Sequence, residues 1–375
     1  MSVMTDIFLI APLPLLLLLF TIGAFKCKHL LPLWKHDRQI KLDFSPNELS
    51  GIDITIVIVI FFLRSVRFSI LSTCTRIFKL RNMVSEVPKS PDADELSLVM
   101  PFRVTQADLT TYSAAIKDPL DSRNNQLSGA QLLLFLSALS EPAMLLLLAH
   151  PSCKVRPLGS VNVRNRFELL RPDLLCEGQA LTALKKAFLT ATLSKDDRVV
   201  KRGFEVDLVV NLNIPSKDSG SSITVFRQNF TILQFARVRR EMAQQQDVAR
   251  NGVFNPAWSN VTSLAVEYND PAQWARLCKD YNPIHTSTIA AKIFGFPGKL
   301  AHGNHVGALA AKYITLPSEN EPLFMEITFK RPVVVPAQLD LKVSRDGAEA
   351  SHADFQILSM SKDKVSIEGR VGQLK

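Results

Sequence analysis

Hydrophobic and polar positions divide the 375-residue chain into an apolar beginning and a longer part in which helix and strand patterns recur. Residues 130–149 are apolar nearly all round, which predicts a helix wrapped by other elements. Their length also allows a membrane crossing. The central Glu141 and Pro142, the flanks without basic residues and the strand-like segments directly afterwards favour a buried helix.

Strand-like segments follow this helix. They are rich in Val, Phe and Thr, alternate roughly between apolar and polar positions, and are separated by polar turns such as the KDD sequence at 195–197. The predicted strands are residues 160–170, 181–193, 199–213 and 223–236. A helix followed by several long antiparallel strands indicates an α+β fold.

The same order recurs in the carboxy-terminal part. Short helices are predicted at 271–279 and 303–314, and strands at 323–329, 338–344, 353–360 and 365–372. Two copies of helix plus sheet, without evident residue identity between them, suggest an internal pseudo-dimer. We therefore predict two repeats, residues 96–240 and residues 241–375.

The first 86 residues differ from the rest. Residues 7–25 are uncharged, apolar and nearly of bilayer length, and basic residues follow them, which predicts a retained membrane anchor with the remainder on the cytoplasmic side. A second apolar run, 52–63, precedes alternating basic and apolar residues, so we predict a re-entrant or interfacial amphipathic segment on an anionic membrane. A mitochondrial presequence and a buried core helix are the alternatives. Residues 87–95, with two prolines, are predicted to be a linker.

Composition narrows the class of partner. The net charge of +9 suits binding to a membrane surface or to an acidic carrier, and it is also compatible with an ordinary solvated surface. The basic residues form no long run with interleaved aromatics, so a nucleic-acid partner is not predicted. The five cysteines are odd in number and none are at metal-ligand spacing, which argues against zinc and against a disulfide framework. Cys278 lacks an activating base with its own orienting partner and is predicted to be a buried, inert thiol.

The candidate chemistry lies in the sequence DYNPIH, from Asp280 to His285. Asn282 and Pro283 must leave the preceding helix, because proline lacks an N–H donor and restricts the residue before it. The resulting turn can bring Asp280 and His285 to one side of a loop, around a single water molecule. A carboxylate and a neutral imidazole in that position suit the addition of water to a polarised double bond.

A second candidate element is the sequence AHG at 301–303, at the start of a predicted helix. A backbone N–H at Gly303, aided by the positive end of the helix, can stabilise negative charge on a thioester oxygen. The missing Cβ of Gly303 lets a ligand approach closely. His302 and His305 are predicted to be structural and to orient the loop or the helix start.

These motifs together resemble the MaoC-like, (R)-specific enoyl-thioester hydratase family, whose signature is D-x-N-P-[LIV]-H followed downstream by A-H-G. The sequences KIFGFP at 292–297 and LAHG at 300–303 are similar to double-hot-dog 3-hydroxyacyl-thioester dehydratases of bacterial and mycobacterial type, and PLGSVNVRN at 157–165 resembles their first repeat. The likeness covers roughly residues 96–375.

The resemblance implies a double hot-dog fold, which is an α+β arrangement in which two antiparallel sheets each wrap a central helix. In this chain the fold is expected to follow an N-terminal membrane-anchor segment (1–86) and a linker (87–95). It implies that the first repeat (96–240) is non-catalytic and shapes the acyl pocket, and that the second (241–375) is catalytic. The expected partners are an acyl-CoA or acyl-carrier-protein thioester and a membrane, in a monomeric pseudo-dimer or a homodimer. Localisation at a membrane with the catalytic part in the cytoplasm is expected, or alternatively in the mitochondrion.

The resemblance also implies roles for single residues. Asp280 and His285 would activate water, and the Gly303 N–H would bind the thioester oxygen. Which of Asp280 and His285 transfers which proton stays open. Supporting roles fall to the residues around them, Asn282, Pro283 and His302. No metal and no organic cofactor is implied.

The activity implied is the reversible dehydration of (3R)-3-hydroxyacyl thioesters to trans-2-enoyl thioesters. Two alternatives remain: hydrolysis of an acyl thioester on the same fold, and a catalytically silent, membrane-tethered acyl-thioester-binding protein. Three stretches depart from the family's pattern: CK at 278–279 replaces Ser-Gly, NH at 304–305 replaces an apolar residue after His-Gly, and PAQ at 336–338 replaces Pro-Gly-Asp. The first can alter the electrostatics of the site and the second the pocket floor, but neither removes a catalytic group.

Overall fold

The structure is a computed structural model. It describes residues 27–35, 37–61, 63–64, 95–118, 127–156, 159–175, 181–216, 220–236, 238, 257–314, 321–345, 352–361 and 363–374. The apolar stretch 7–25 predicted as a membrane anchor lies outside these residues, as does nearly all of the predicted linker 87–95.

The strands alternate with helices in the order expected for two repeats. The strands are β1 (Gln39–Lys41), β2 (Ser97–Pro101), β3 (Ser160–Leu169), β4 (Phe188–Val200), β5 (Gly203–Pro215), β6 (Ser222–Phe235), β7 (Ser259–Val266), β8 (Leu323–Phe329), β9 (Ala337–Arg345), β10 (His352–Ser359) and β11 (Lys364–Gln373). The helices are α1 (Gly51–Phe61), α2 (Gln106–Ile116), α3 (Gly129–Ala149), α4 (Asp270–Cys278), α5 (Pro283–Thr286), α6 (Thr288–Ile293) and α7 (Gly303–Ala311). Short 3₁₀ helices occur at Lys28–Trp34, Pro46–Glu48 and Pro172–Leu174.

Within the described part of the chain, the strands form one eleven-stranded sheet in the order β1-β2-β4-β5-β6-β3-β8-β11-β10-β9-β7. The order in the second repeat mirrors that in the first across the β3–β8 pair, where Arg164 lies opposite Thr328 and Leu169 opposite Leu323. The two predicted repeats are therefore present, and their sheets are joined edge to edge into one. The parallel pairing of β1 with β2 makes the sheet mixed.

Helix α3 is the central helix of the first repeat. Ser128 caps it by accepting a hydrogen bond from the Gln131 N–H. Among the described residues it is the one helix long and apolar enough to cross a bilayer, but 94% of its most apolar stretch is buried inside the protein. The prediction of a buried core helix at 130–149 is confirmed.

Helix α3 packs against α7, the central helix of the second repeat. A Cβ added at Gly307 would lie 3.7 Å from Leu134 Cδ1, so the two helices approach closely at this point. The Nδ2 of Asn304 donates to Ser137 Oγ at 3.4 Å. Residue numbers thus rise along α3 as they fall along α7, and the helices run antiparallel.

Residues that precede the first repeat also belong to the folded body. Leu30 and Ile40 are buried, and α1 buries Ile54 and Val57 on one face. Arg64 donates to the carbonyl oxygen of Leu148, in the last turn of α3, and to that of Cys153, just after the helix. Most of the apolar run 52–63 is therefore a helix packed on the folded domain. This outcome agrees with the alternative of a core helix and not with the predicted membrane-surface segment. Attachment to a membrane through residues 7–25 stays a prediction.

The polar sequence at 195–197 does not form the predicted turn, and that prediction is wrong. Strand β4 continues to Val200. Its pairing with β5 shifts register between Leu193 and Asp197, so the residues between them form a bulge. The chain reverses just before Gly203, whose φ of +148° favours glycine. A Cβ at Gly203 would lie 2.0 Å from the Gln234 carbonyl oxygen, so the close approach of β6 also requires glycine.

Candidate active site

The end of α4 directs Asp280 away from the helix. Lys279 has φ of 57° and ψ of 11°, a left-handed conformation, and its N–H donates to the Ala275 carbonyl at 2.9 Å. Left-handed backbone is common just after a helix and is usually occupied by glycine, because a Cβ is strained there. This conformation explains why glycine is common at this position in the MaoC-like pattern. In this chain Lys279 occupies the position at the cost of backbone strain.

A network of hydrogen bonds holds the turn that follows. The N–H of Asn282 donates to Asp280 Oδ1 at 3.1 Å, and the side-chain oxygen of Asn282 accepts from the Ile284 N–H at 3.3 Å. Pro283 is the first residue of α5, where its missing N–H costs nothing. The His285 N–H donates to the Asn282 carbonyl at 2.8 Å, so the backbone of His285 is held one turn beyond Asn282.

Asp280, His285 and His302 are brought together. Oδ2 of Asp280 lies 4.0 Å from His285 Nε2 and 3.8 Å from His302 Nε2. His285 Nδ1 lies 3.0 Å from the Leu300 carbonyl oxygen, which can only accept, so Nδ1 carries the proton and Nε2 offers a lone pair. Two acceptors 4.0 Å apart repel each other directly, but one water molecule between them can donate a hydrogen to each.

Burial keeps both imidazoles neutral. Burial lowers the pKa of His285, and the Asp280 carboxylate offsets part of that decrease. The pKa of His302 is lowered well below its ordinary value, first by burial and then by the neighbouring His285. The two rings stack at 3.8 Å, so a proton on one disfavours a proton on the other. At neutral pH, His285 therefore has a free lone pair with which to accept a proton.

His302 connects the Asp280 loop to the start of α7. Its Nε2 lies 3.0 Å from the Asp280 carbonyl oxygen and must donate to it. It is also the residue directly before α7, in an extended conformation. This placement fits the predicted role of His302 as a residue that orients the loop and the helix start.

Gly303 is the first residue of α7, so its N–H is among those that have no partner within the helix. A Cβ at this position would lie 2.2 Å from Phe329 Cε1. Glycine is therefore required for packing against β8 as well as for any close approach of a ligand. The contact of His302 with Asp280 places the N-terminus of α7 beside the acid–imidazole pair.

The side chains of Asp280, His285 and His302 also form a possible metal-ligand set, since one potential ligand atom from each lies within 4.8 Å of the others. Two histidines and a carboxylate are a known ligand combination for iron. His302 Nε2, however, is engaged as a donor to the Asp280 carbonyl and has no lone pair to offer. This arrangement suits a water molecule better than a metal ion.

The remaining polar residues of the motif region are structural. Cys278 is fully buried, and burial together with the Glu141 and Asp280 carboxyl groups raises its thiol pKa, so it stays protonated and inert as expected. His305 Nε2 lies 2.9 Å from the Ala115 carbonyl oxygen, and its ring stacks on Trp274. Burial lowers the pKa of His305 to about 4.

Sequence reasoning missed two features of this region. The first is the partner of His302: the sequence predicted that His302 orients the loop or the helix start, but not that it contacts the Asp280 carbonyl. The second is Glu141, whose carboxyl group interacts electrostatically with Asp280 although it belongs to the first repeat. The sequence did offer a hint, because Glu141 is the one charged residue in the otherwise uncharged helix α3.

The fold and the site together define a class of protein: a double hot-dog with an aspartate–histidine pair in a loop of its second repeat. Comparisons with known proteins agree. The match to the family described as MaoC like domain covers residues 254–369. It includes every site residue predicted from the sequence.

Two sequence relatives cover different parts of their own chains. A 214-residue stretch is 26% identical to 3-hydroxyacyl-thioester dehydratase X of Mycobacterium tuberculosis and covers 55% of this chain and 67% of that protein. A 152-residue stretch is 29% identical to a fatty acid synthase beta subunit of Emericella nidulans but covers 38% of this chain and 8% of that subunit.

Solved structures support the fold. The crystal structure of HtdX from Mycobacterium tuberculosis superposes with a TM-score of 0.53 at 22% identity, over 74% of this chain and 100% of that one. A MaoC-like dehydratase from Phytophthora capsici superposes with a TM-score of 0.56 at 14% identity, over 77% of this chain and 99% of that one.

Proposed function

We propose that the protein catalyses the reversible dehydration of (3R)-3-hydroxyacyl thioesters to trans-2-enoyl thioesters. The observation that carries the proposal is the pair of acceptors formed by Asp280 Oδ2 and His285 Nε2, 4.0 Å apart. A water molecule that donates to both directs its oxygen lone pairs outward, toward the carbon it attacks.

In the hydration direction, the water oxygen forms a bond to C3 of the enoyl thioester while one of its protons passes to the pair. Negative charge moves through C2 to the thioester oxygen, where the Gly303 N–H and the positive end of α7 stabilise it. The proton is then returned to C2. In the dehydration direction, neutral His285 takes the C2 proton through Nε2, the C3–O bond breaks, and the protonated imidazole supplies that proton to the departing hydroxyl, which leaves as water.

The relatives support the choice of substrate. One is named a 3-hydroxyacyl-thioester dehydratase, and another is a fatty acid synthase subunit. We propose an acyl-CoA or acyl-carrier-protein thioester as substrate, and the net charge of +9 suits both of these acidic carriers. The alternative of thioester hydrolysis has less support, because Cys278, the thiol two residues before Asp280, is buried and its raised pKa keeps it protonated.

The test uses the full chain, because residues 27–61 contribute to its core. The purified protein is incubated with (3R)-3-hydroxyacyl-CoA and with trans-2-enoyl-CoA, and interconversion is followed by the absorbance of the conjugated thioester. Free thiol is measured in parallel. Interconversion without thiol release supports the proposal, thiol release would indicate a thioesterase, and binding without either would indicate a silent binding protein. The (3S) substrate is the matched control and should not react.

We further propose that residues 7–25 attach the protein to a membrane, with the catalytic part on the cytoplasmic side or, as the alternative, inside the mitochondrion. Support comes from their apolar length and the basic residues after them. Fractionation of cells should recover the full chain from membranes with detergent but not with alkaline carbonate. Recovery in the soluble fraction would refute the anchor without affecting the proposed activity.

A further inference from the structure

Glu141 is a buried acid, and one of its two carboxyl oxygens has no hydrogen-bond partner in the part of the chain that the structure describes. Its side chain is 8% exposed, and among the described residues its Oε2 is one of the few buried side-chain atoms that have no hydrogen-bond partner. The rest of α3 carries no charge, so no basic residue of the helix neutralises it. Burial, and then the charge of Asp280, raise the pKa of Glu141 well above its ordinary value. An unpaired buried carboxyl group holds its proton and is then a hydrogen-bond donor.

The antiparallel packing of α3 and α7 places Glu141 at the active site. Leu134 lies beside Gly307, and Ser137 contacts Asn304. One further turn along α3 leads to Glu141, and the corresponding step along α7 leads to its N-terminus and the residues just before Gly303. The electrostatic interactions of Glu141 with Asp280 and Cys278 agree with this register.

We propose that Glu141, contributed by the first repeat, enters the active site as a neutral carboxylic acid and donates a hydrogen bond to the thioester oxygen beside the Gly303 N–H. Sites that stabilise a developing oxyanion need donors fixed in place before the reaction, and a protonated carboxylic acid held in an apolar site can serve as one. This inference rests on the proposed dehydratase activity. It makes the first repeat a contributor to catalysis and not only a wall of the acyl pocket.

The test compares three variants of the full chain. Glu141→Gln keeps a side-chain donor of similar shape, and its kcat should stay within about tenfold of wild type. Glu141→Leu removes the donor, and its kcat should fall by about 10²–10³-fold, the usual effect of losing one oxyanion donor. Met144→Leu, one turn further along the same buried helix, is the matched control and should retain wild-type kcat.

Thermal stability separates catalysis from folding. Glu141→Leu replaces an unpaired buried acid with an apolar side chain, so its melting temperature should equal or exceed that of wild type while kcat falls. Wild-type kcat in Glu141→Leu would overturn the proposal, and so would an equal loss in Glu141→Gln. If Glu141→Leu does not fold, Glu141→Met takes its place, with the same expected loss. A wild-type protein without dehydratase activity would refute the proposed function itself.

Discussion

Substitution of Gly303 by alanine tests why the helix at the active site begins with glycine. The added methyl group would lie 2.2 Å from Cε1 and 2.6 Å from Cδ1 of Phe329, far inside van der Waals contact. Either the Phe329 ring or the start of α7 must move. Overpacking of this kind costs about 1–3 kcal/mol. We expect Gly303→Ala to lower the free energy of unfolding by that amount.

The assay is urea denaturation combined with steady-state kinetics, and Phe329→Ala supplies the second mutation of a double-mutant cycle. In the double variant the methyl group has space, so Gly303→Ala should cost less than about 0.5 kcal/mol in stability. If the glycine is also needed for approach of the thioester, the double variant should regain stability but not kcat/KM. Recovery of both would restrict the role of Gly303 to packing.

A single Gly303→Ala variant with the urea midpoint and m-value of wild type would show that the clash with Phe329 has no energetic consequence. A destabilisation that is the same with and without Phe329→Ala would also contradict the role of that clash, because the cost would then arise elsewhere. Gly307→Ala would not serve as a control, because a Cβ there would meet Ile327 at 2.7 Å.

Three further outcomes are expected. Lys279→Gly should raise the free energy of unfolding by about 0.5–1 kcal/mol in urea melts by relieving the left-handed backbone, and a decrease would contradict this. Burial lowers the pKa of His305 to about 4, so between pH 6.5 and pH 4 the unfolded chain binds a proton at this residue and the folded chain does not. The free energy of unfolding should therefore be highest above pH 6.5 and fall by up to about 3 kcal/mol toward pH 4. His305→Asn should show a flatter pH profile of stability. Because burial lowers the pKa of His285, kcat/KM should persist below pH 6.5, and a loss centred above pH 6.5 would argue against a neutral imidazole base.

Much of the site could be predicted from the sequence because its geometry is local. Asp280 and His285 are separated by five positions, and the intervening Asn282 and Pro283 dictate a turn with few alternatives. The strand at 323–329 was also predicted with the bounds of β8, since its apolar and polar positions alternate and turn residues flank it.

Features that depend on distant parts of the chain were missed or misplaced. The run at 52–63 suggested a membrane surface, since an apolar stretch beside basic residues has the same pattern whether it packs on lipid or on a protein. Strand β7 (Ser259–Val266) has only two buried residues and little apolar alternation, so it gave no clear signal. The position of Glu141 beside Asp280 follows from the packing of α3 on α7, which no local pattern encodes.

The rate of enoyl-thioester hydration by Asp280→Asn, measured against wild type at saturating substrate, tests whether the Asp280–His285 pair performs the reaction. Asparagine keeps the side-chain shape and the acceptor for the Asn282 N–H, but it removes the charge that faces His285 at 4.0 Å. We expect a fall in kcat of about 10²–10⁴-fold with substrate affinity and melting temperature nearly unchanged. A variant that hydrates at the wild-type rate would show that the Asp280–His285 pair does not carry the reaction.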